Sequence, residues 1–252
     1  MLQIINAEDK TVAEAVEKYL PQIEVVVDVI TESVKKGGRM IYVGAGTSER
    51  LAVQDAAECT VTYGVAPGTV TAVMAGGRDA VFSPSENIED KFEVGAEDVR
   101  KCALTKNDSV IGVSASGNAL YVCGALKEAE ICGSNTVAIL CNEKGKIVDY
   151  AKYSICVPTG AEVICGSTRM KAGTAQKMIL NMLSTVVMVK LGKVTGNFMT
   201  WMSPTNQKLQ KRARFIISQI CGIAEDDAGV LLTEGENNIQ KAIAIYNQKE
   251  DR

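Results

Sequence analysis

The sequence predicts an α/β fold: a doubly wound, parallel five-stranded sheet with a small C-terminal helical appendage. Three observations predict it. Short apolar runs alternate with stretches of helical period, the pattern of strands buried on both faces by crossover helices. Two of these runs pass directly into small-residue turns that open a helix: residues 40–43 into GAGTS at 44–48, and residues 110–113 into SASG at 114–117. Finally, 46% of the 252 residues are hydrophobic, which suits the core of one α/β domain of ordinary size.

Each element has its own signal. Val12, Val16 and Leu20, then Ile23, Val27, Ile30 and Val34, recur at three- and four-residue steps, predicting two helices divided near Pro21, the second ended by Gly37-Gly38. Strands are expected near 40–43, 70–74, 109–113, 136–140 and 153–157, with helices over about 50–59 and 119–131. A long, mostly apolar helix over 169–191 follows; beyond Gln176 it reads as a core or dimer-packing helix. After Asn197 the character changes. Pro204 and Thr205 introduce a helix over about 206–220, and shorter ones are expected over about 225–233 and 237–247. The expected division is residues 1–200, the sheet domain with its N-terminal helices, and 201–252, the helical appendage.

Composition narrows the chemistry. A net charge of −3 argues against nucleic acid as a partner, since phosphate-backbone binding wants a basic face. No apolar run approaches the roughly 20 residues of a membrane span, and Met1 opens no signal pattern, so a cytoplasmic protein without membrane contact is expected. The eight cysteines form no C-x-x-C pair and mostly sit in apolar runs, as reduced structural thiols do. Histidine is absent, which excludes His-supported zinc sites and Ser-His or Cys-His nucleophiles. Proton transfer falls to Glu, Asp, Lys, Tyr or Cys, and neither metal nor cofactor is expected. The Gly44-x-Gly46 turn invites a dinucleotide reading, but that fingerprint needs a small residue where Glu49 stands and an acidic residue after the second strand, where Met74-Ala75-Gly76-Gly77 offers none.

In an open parallel sheet the loops after the strands meet at the carboxyl edge, where ligands bind. A third hydroxyl-rich segment, GSTRMKAGT at 166–174, opens the long helix. Ser167, Thr168 and the first-turn N–H groups are donors, the helix start carries partial positive charge, and Arg169 and Lys171 add full charge, so the segment can hold an anion; the alternative is an ordinary capped helix. Three such loops at one edge suggest a phosphorylated ligand.

Further stretches complete a pattern: Asp55-Ala56-Ala57-Glu58-Cys59, Ala75-Gly76-Gly77, Glu162 leading into GSTRMKAGTAQK at 166–177, Leu180-Asn181-Met182-Leu183-Ser184-Thr185, Gly192-Lys193-Val194, Gly196-Asn197 and Thr205-Asn206. With the two loops above, they make the chain resemble, over most of its length, the bacterial N-acetylmuramic acid 6-phosphate etherases of the sugar isomerase (SIS) superfamily, relatives of the animal glucokinase regulatory proteins. The resemblance implies a carbon–oxygen lyase of amino-sugar metabolism and peptidoglycan recycling, which cleaves the ether between D-lactate and C3 of a 6-phosphosugar. It makes Glu58 the acid, and Glu89, within Glu86-Asn87-Ile88-Glu89-Asp90, the base. Ser48, Ser114, Ser116 and Ser167 would hold the phosphate or sugar hydroxyls, supported by Thr47, with Gly117, Glu162 and Lys171 completing the substrate-binding set. A homodimer is implied as well.

The chain also departs from the family. Glu49 stands for a glycine, Asn118-Ala119 for an Arg-Thr pair, and Trp201 for an aspartate, and the chain is shorter at both ends. A carboxylate about 4 Å from a bound phosphate charge would cost on the order of 4 kcal/mol at an effective dielectric near 20, so Glu49 either points outward, as first-turn helix residues can, or marks a less anionic ligand; the retained loop residues around it favour the outward orientation. These departures leave two rivals: a non-catalytic phosphosugar sensor, and a lyase or isomerase for another phosphosugar. Retention of both glutamates favours the etherase.

Overall fold

The structure is a computed structural model describing residues 1–83 and 87–250. The chain forms two compact units, one of Met1–Ala57 with Pro67–Val187, the other of Glu58–Ala66 with the chain from Met188 onward.

In the first unit, α1 (Leu2–Glu17) and α2 (Leu20–Lys35) lead into β1 (Met40–Gly44), and Pro21 sits in the first turn of α2, where its missing N–H has no helical partner to lose. There follow α3 (Thr47–Tyr63, counted with the second unit from Glu58), β2 (Val70–Met74), a 3₁₀ turn at Arg78–Val81, α4 (Phe92–Arg100), β3 (Ser109–Ser114), α5 (Leu120–Ile131), β4 (Asn135–Leu140), a 3₁₀ turn at Lys146–Tyr150, β5 (Tyr153–Cys156) and α6 (Lys171–Lys190, counted with the second unit from Met188). All neighbouring strands pair in parallel, in the order β2-β1-β3-β4-β5. Every residue of β1 and β3 is buried, as central strands covered on both faces must be. Ile41, Val43, Val110, Ala138 and Leu140 pack with Tyr121, Val122 and Leu126 of α5 in one core cluster.

The sequence pattern assigned no helix where α4 forms. This helix is nine residues long with Gly95 inside it, so intrinsic propensity is weak and packing decides. Gly95 and Gly124 let α4 and α5 approach until a Cβ on either would collide with a carbonyl of the other helix, Tyr121 O and Phe92 O respectively. This contact fixes the turn before α4, because the Tyr121 N–H donates to Glu89 O at 2.9 Å.

In the second unit, α7 (Gln207–Cys221), α8 (Glu225–Glu234) and α9 (Ile239–Glu250) enclose Ala213, Ile217, Ala228, Leu232 and Ala242. Asn206 caps α7 by accepting the Leu209 N–H at 2.9 Å, and Gly222 ends it with φ of 69°. Trp201 has the Lys193 ammonium 3.6 Å from its ring centroid, a cation–π contact.

Candidate functional site

A 2-1-3-4-5 order has its topological switch between β1 and β3, and ligands of such sheets bind in the crevice beyond the carboxyl ends of those two strands. The GAGTS and SASG loops are the segments that leave β1 and β3 there. Gly44 makes the first turn tight: a Cβ on it would lie 3.1 Å from Glu49 N and 3.2 Å from Val113 O. Gly46 follows with φ of 65°, and α3 opens at Thr47. Ser48 is buried, its hydroxyl donating to Gln176 Oε1 at 2.9 Å. A Cβ on Gly173 would lie 3.6 Å from the Thr47 methyl, so the first turn of α6 rests against that of α3.

The second loop is stapled to its surroundings. Ser114 Oγ accepts the Gly117 N–H at 3.1 Å, and Ser116 Oγ accepts the Asn118 N–H at 3.2 Å. Ala115 O accepts from Cys141 N–H at 3.0 Å and Gly117 O from Ile147 N–H at 2.9 Å. Gly117, with φ of 73°, approaches Gly145 so closely that a Cβ on it would be 2.6 Å from the Gly145 Cα. Thr47, Ser48, Ser114, Ser116 and Gly117 are thus brought to the two loops of one crevice.

The segment before α6 is arranged differently from expectation. Glu162 accepts the Lys171 and Ala172 N–H groups, each at 3.0 Å, and the Gly173 and Thr174 N–H groups donate to Thr168 O and Met170 O at 3.0 and 2.8 Å. A carboxylate of the chain itself occupies the positive end of α6, so these N–H groups are not offered to an anion, and the helix starts at Lys171 rather than 169. Lys171 is 4% exposed, and its ammonium pairs with Glu8 of α1 at 2.6 Å. Ser167 is half-buried, its N–H donating to Ile164 O at 3.0 Å.

The outward orientation expected of Glu49 is wrong. The residue is 1% exposed, and Oε2 accepts the Ala75 N–H at 3.0 Å, tying α3 to the end of β2. Burial pushes its carboxyl up to about 8, against smaller opposing effects of the Ala75 and Gly46 N–H groups and the Arg50 charge. Glu49 is therefore mostly neutral at pH 7, which removes the charge repulsion that would have forced it outward. Below about pH 4.5 the folded and unfolded chains both hold this proton; between about 4.5 and 8 only the folded chain keeps it, so stability falls as pH rises, by up to about 1.4 kcal/mol per pH unit, and levels off above 8. Glu49→Gln keeps an acceptor for Ala75 and removes the titration. The variant's melting temperature is expected to fall less than the wild type's between pH 5 and 8; parallel curves would assign the slope to other groups.

Sequence reasoning gave Asp55, Asn181 and Ser184 no role beyond resemblance. Asp55 is buried and accepts from Tyr42 Oη and Asn181 Nδ2, each at 2.7 Å, and from Ser184 Oγ at 2.9 Å. Burial raises its pKa against these bonds, and the cluster ties β1, α3 and α6 together. Glu58, three residues further along α3, is exposed and belongs to the second unit. Glu89, in the first unit, is exposed in the turn held by Tyr121. Glu86, at the head of that stretch, lies outside the described residues. Among the described residues no group of three or more His, Cys, Asp or Glu could hold a metal ion, and no helix is long and apolar enough to cross a membrane.

The sheet order and the two crevice loops give a doubly wound α/β fold with a ligand crevice, and the comparisons make its class that of an SIS-domain protein. A model of the SIS domain matches residues 92–186, and one of the glucokinase regulatory protein N-terminal SIS domain matches residues 22–130. Among solved structures, a phosphoheptose isomerase from Francisella tularensis shares the fold with a TM-score of 0.58 at 16% identity, covering 74% of this chain and 97% of that one. The phosphoheptose isomerase of Neisseria gonorrhoeae gives 0.57 at 20% identity, covering 77% and 97%. Nearer relatives identify the family. The N-acetylmuramic acid 6-phosphate etherase of Bacillus subtilis is 48% identical over 252 residues, 100% of this chain and 83% of that protein, and the one from Clostridium beijerinckii is 47% identical over 249 residues, 99% and 82%. The chain belongs to the N-acetylmuramic acid 6-phosphate etherase family.

Proposed function

We propose that this chain cleaves the D-lactyl ether of N-acetylmuramic acid 6-phosphate to N-acetylglucosamine 6-phosphate and D-lactate, with Glu89 as base and Glu58 as acid. The observation that carries the reading is 48% identity to an etherase over 252 residues, a span that includes both glutamates and both crevice loops. Opening of the sugar ring exposes an aldehyde at C1 and acidifies the C2 hydrogen. Glu89 takes that proton; the electron pair forms the C2–C3 double bond; the C3–O bond breaks, and Glu58 protonates the oxygen that leaves with lactate. Water then adds at C3 and a proton returns to C2. Carboxyl groups suffice for both transfers, and the sequence holds no histidine.

Ser48, Ser114 and Ser116 bind the phosphate, with Thr47 and Gly117 shaping their loops, and Ser167 meets the sugar. Glu162 and Lys171 act through the placement of α6, since their polar atoms are engaged within the protein. Incubating the protein with N-acetylmuramic acid 6-phosphate and assaying D-lactate tests the activity. For the loop, Ser116→Ala should weaken binding of N-acetylglucosamine 6-phosphate by about tenfold or more, and that of N-acetylglucosamine much less, because a hydrogen bond to a charged group contributes about 1.5–3 kcal/mol. Equal losses by calorimetry would place the serine against the sugar instead.

A second reading, a non-catalytic phosphosugar sensor, is favoured by Asn118: it stands where the family carries a cation, and its amide turns back to Ser116 O at 3.3 Å and to the Lys146 N–H at 3.4 Å. Binding without lactate release would select it. The α6 face, where exposed Val186 adjoins a groove lined by Lys177, Met178, Met182 and Thr185, supports a homodimer, which sedimentation equilibrium would read. A phosphorylated substrate and eight free thiols support a cytoplasmic location.

A further inference from the structure

Gln176 carries an unexplained polar atom. It lies in the second turn of α6, on the stripe of Leu180, Leu183 and Val187, and all four residues are 0% exposed. Its Oε1 accepts the Ser48 hydroxyl at 2.9 Å, while Nε2 makes no hydrogen bond, the one such buried side-chain nitrogen or oxygen among the described residues. Leaving a buried donor unpaired is destabilising, a cost that methionine or leucine at this position would avoid. Gln176 is too enclosed to reach a ligand itself. Ser48, which it touches, lies in the first turn of α3 at the β1/β3 crevice.

Turning a glutamine amide by half a circle about its last torsion exchanges its oxygen and nitrogen. As the structure stands, the single Ser48 hydroxyl hydrogen is spent on Gln176. After the turn, Nε2 donates to Ser48 Oγ, the unpaired nitrogen gains its partner, and the Ser48 hydrogen is released toward the crevice. The carbonyl then left unpaired is the group that proteins tolerate more readily in that state.

We propose that Gln176 is a positioning residue for Ser48: it holds the hydroxyl hydrogen inward in the free protein and, by turning its amide, directs that hydrogen onto an anionic oxygen when a phosphosugar enters. The inference rests on the reading of Ser48 as a phosphate contact.

A double-mutant cycle on the dissociation constant of N-acetylglucosamine 6-phosphate, measured by calorimetry, separates the two ideas. Ser48→Ala alone and Gln176→Met alone should each weaken binding by about tenfold, and the double variant should bind within about twofold of Ser48→Ala, because Gln176 acts only through the hydroxyl. Equal losses from Gln176→Met in both backgrounds would make it a packing residue and overturn the proposal, as would no loss in either. An unchanged affinity in Ser48→Ala would overturn both the phosphate contact and the positioning that depends on it. The wild-type chain supplies an independent reading should a variant fail to fold: the Gln176 side-chain amide proton resonances should move downfield on adding N-acetylglucosamine 6-phosphate but not N-acetylglucosamine. Unmoved resonances at saturation would contradict the turn.

Discussion

Glu58→Gln is expected to lower D-lactate release by about 10²- to 10⁴-fold, the contribution of a general acid, while leaving N-acetylglucosamine 6-phosphate binding within a few fold. The amide keeps the shape and position of the carboxyl group on α3, and the residue is exposed, so its loss opens no cavity. What it cannot do is deliver a proton to the departing ether oxygen. Removal of the C2 hydrogen does not need that proton, so the variant incubated in D₂O should still exchange the C2 hydrogen of the substrate for deuterium without releasing lactate. Unchanged turnover would remove Glu58 from the reaction.

Glu89→Gln should cost a similar factor and differ in this second respect. With the base gone, the C2 hydrogen stays in place, and exchange and lactate release fall together. The turn that carries Glu89 is held through its backbone carbonyl by the Tyr121 N–H, so the substitution leaves that anchor intact. Proton NMR of the substrate in D₂O distinguishes the two variants directly. Exchange that persists in Glu89→Gln and vanishes in Glu58→Gln would reverse the assignment of acid and base.

The parts of the fold with strong local patterning were legible in the sequence. The strands lie where the apolar runs do, and the signal is strongest for β1, β3 and β4, because a strand buried on both faces admits little else. The GAGTS and SASG turns show their glycines where Gly46 and Gly117 need positive φ. Two features had a signal that went unread. Glu49 precedes Ala52, Ala56 and Cys59 by three, seven and ten residues and so stands on the buried stripe of α3, and Gln176 stands on the stripe of Leu180, Leu183 and Val187. Others had no local signal at all. Glu162 caps a helix from nine residues before Lys171, beyond the reach of capping motifs, and Lys171 finds Glu8 across 163 residues of chain. Such pairs arise only when the sheet has brought distant segments together.

The most direct test of the central claim is the fate of solvent atoms when the protein acts on N-acetylmuramic acid 6-phosphate. Run in H₂¹⁸O, elimination followed by addition of water at C3 places ¹⁸O in the C3 hydroxyl of N-acetylglucosamine 6-phosphate and none in the lactate hydroxyl; run in D₂O, it places one deuterium at C2 of the same product. Mass spectrometry and NMR should show both labels together. Lactate carrying ¹⁸O, a product without deuterium at C2, or no lactate at all would contradict the account.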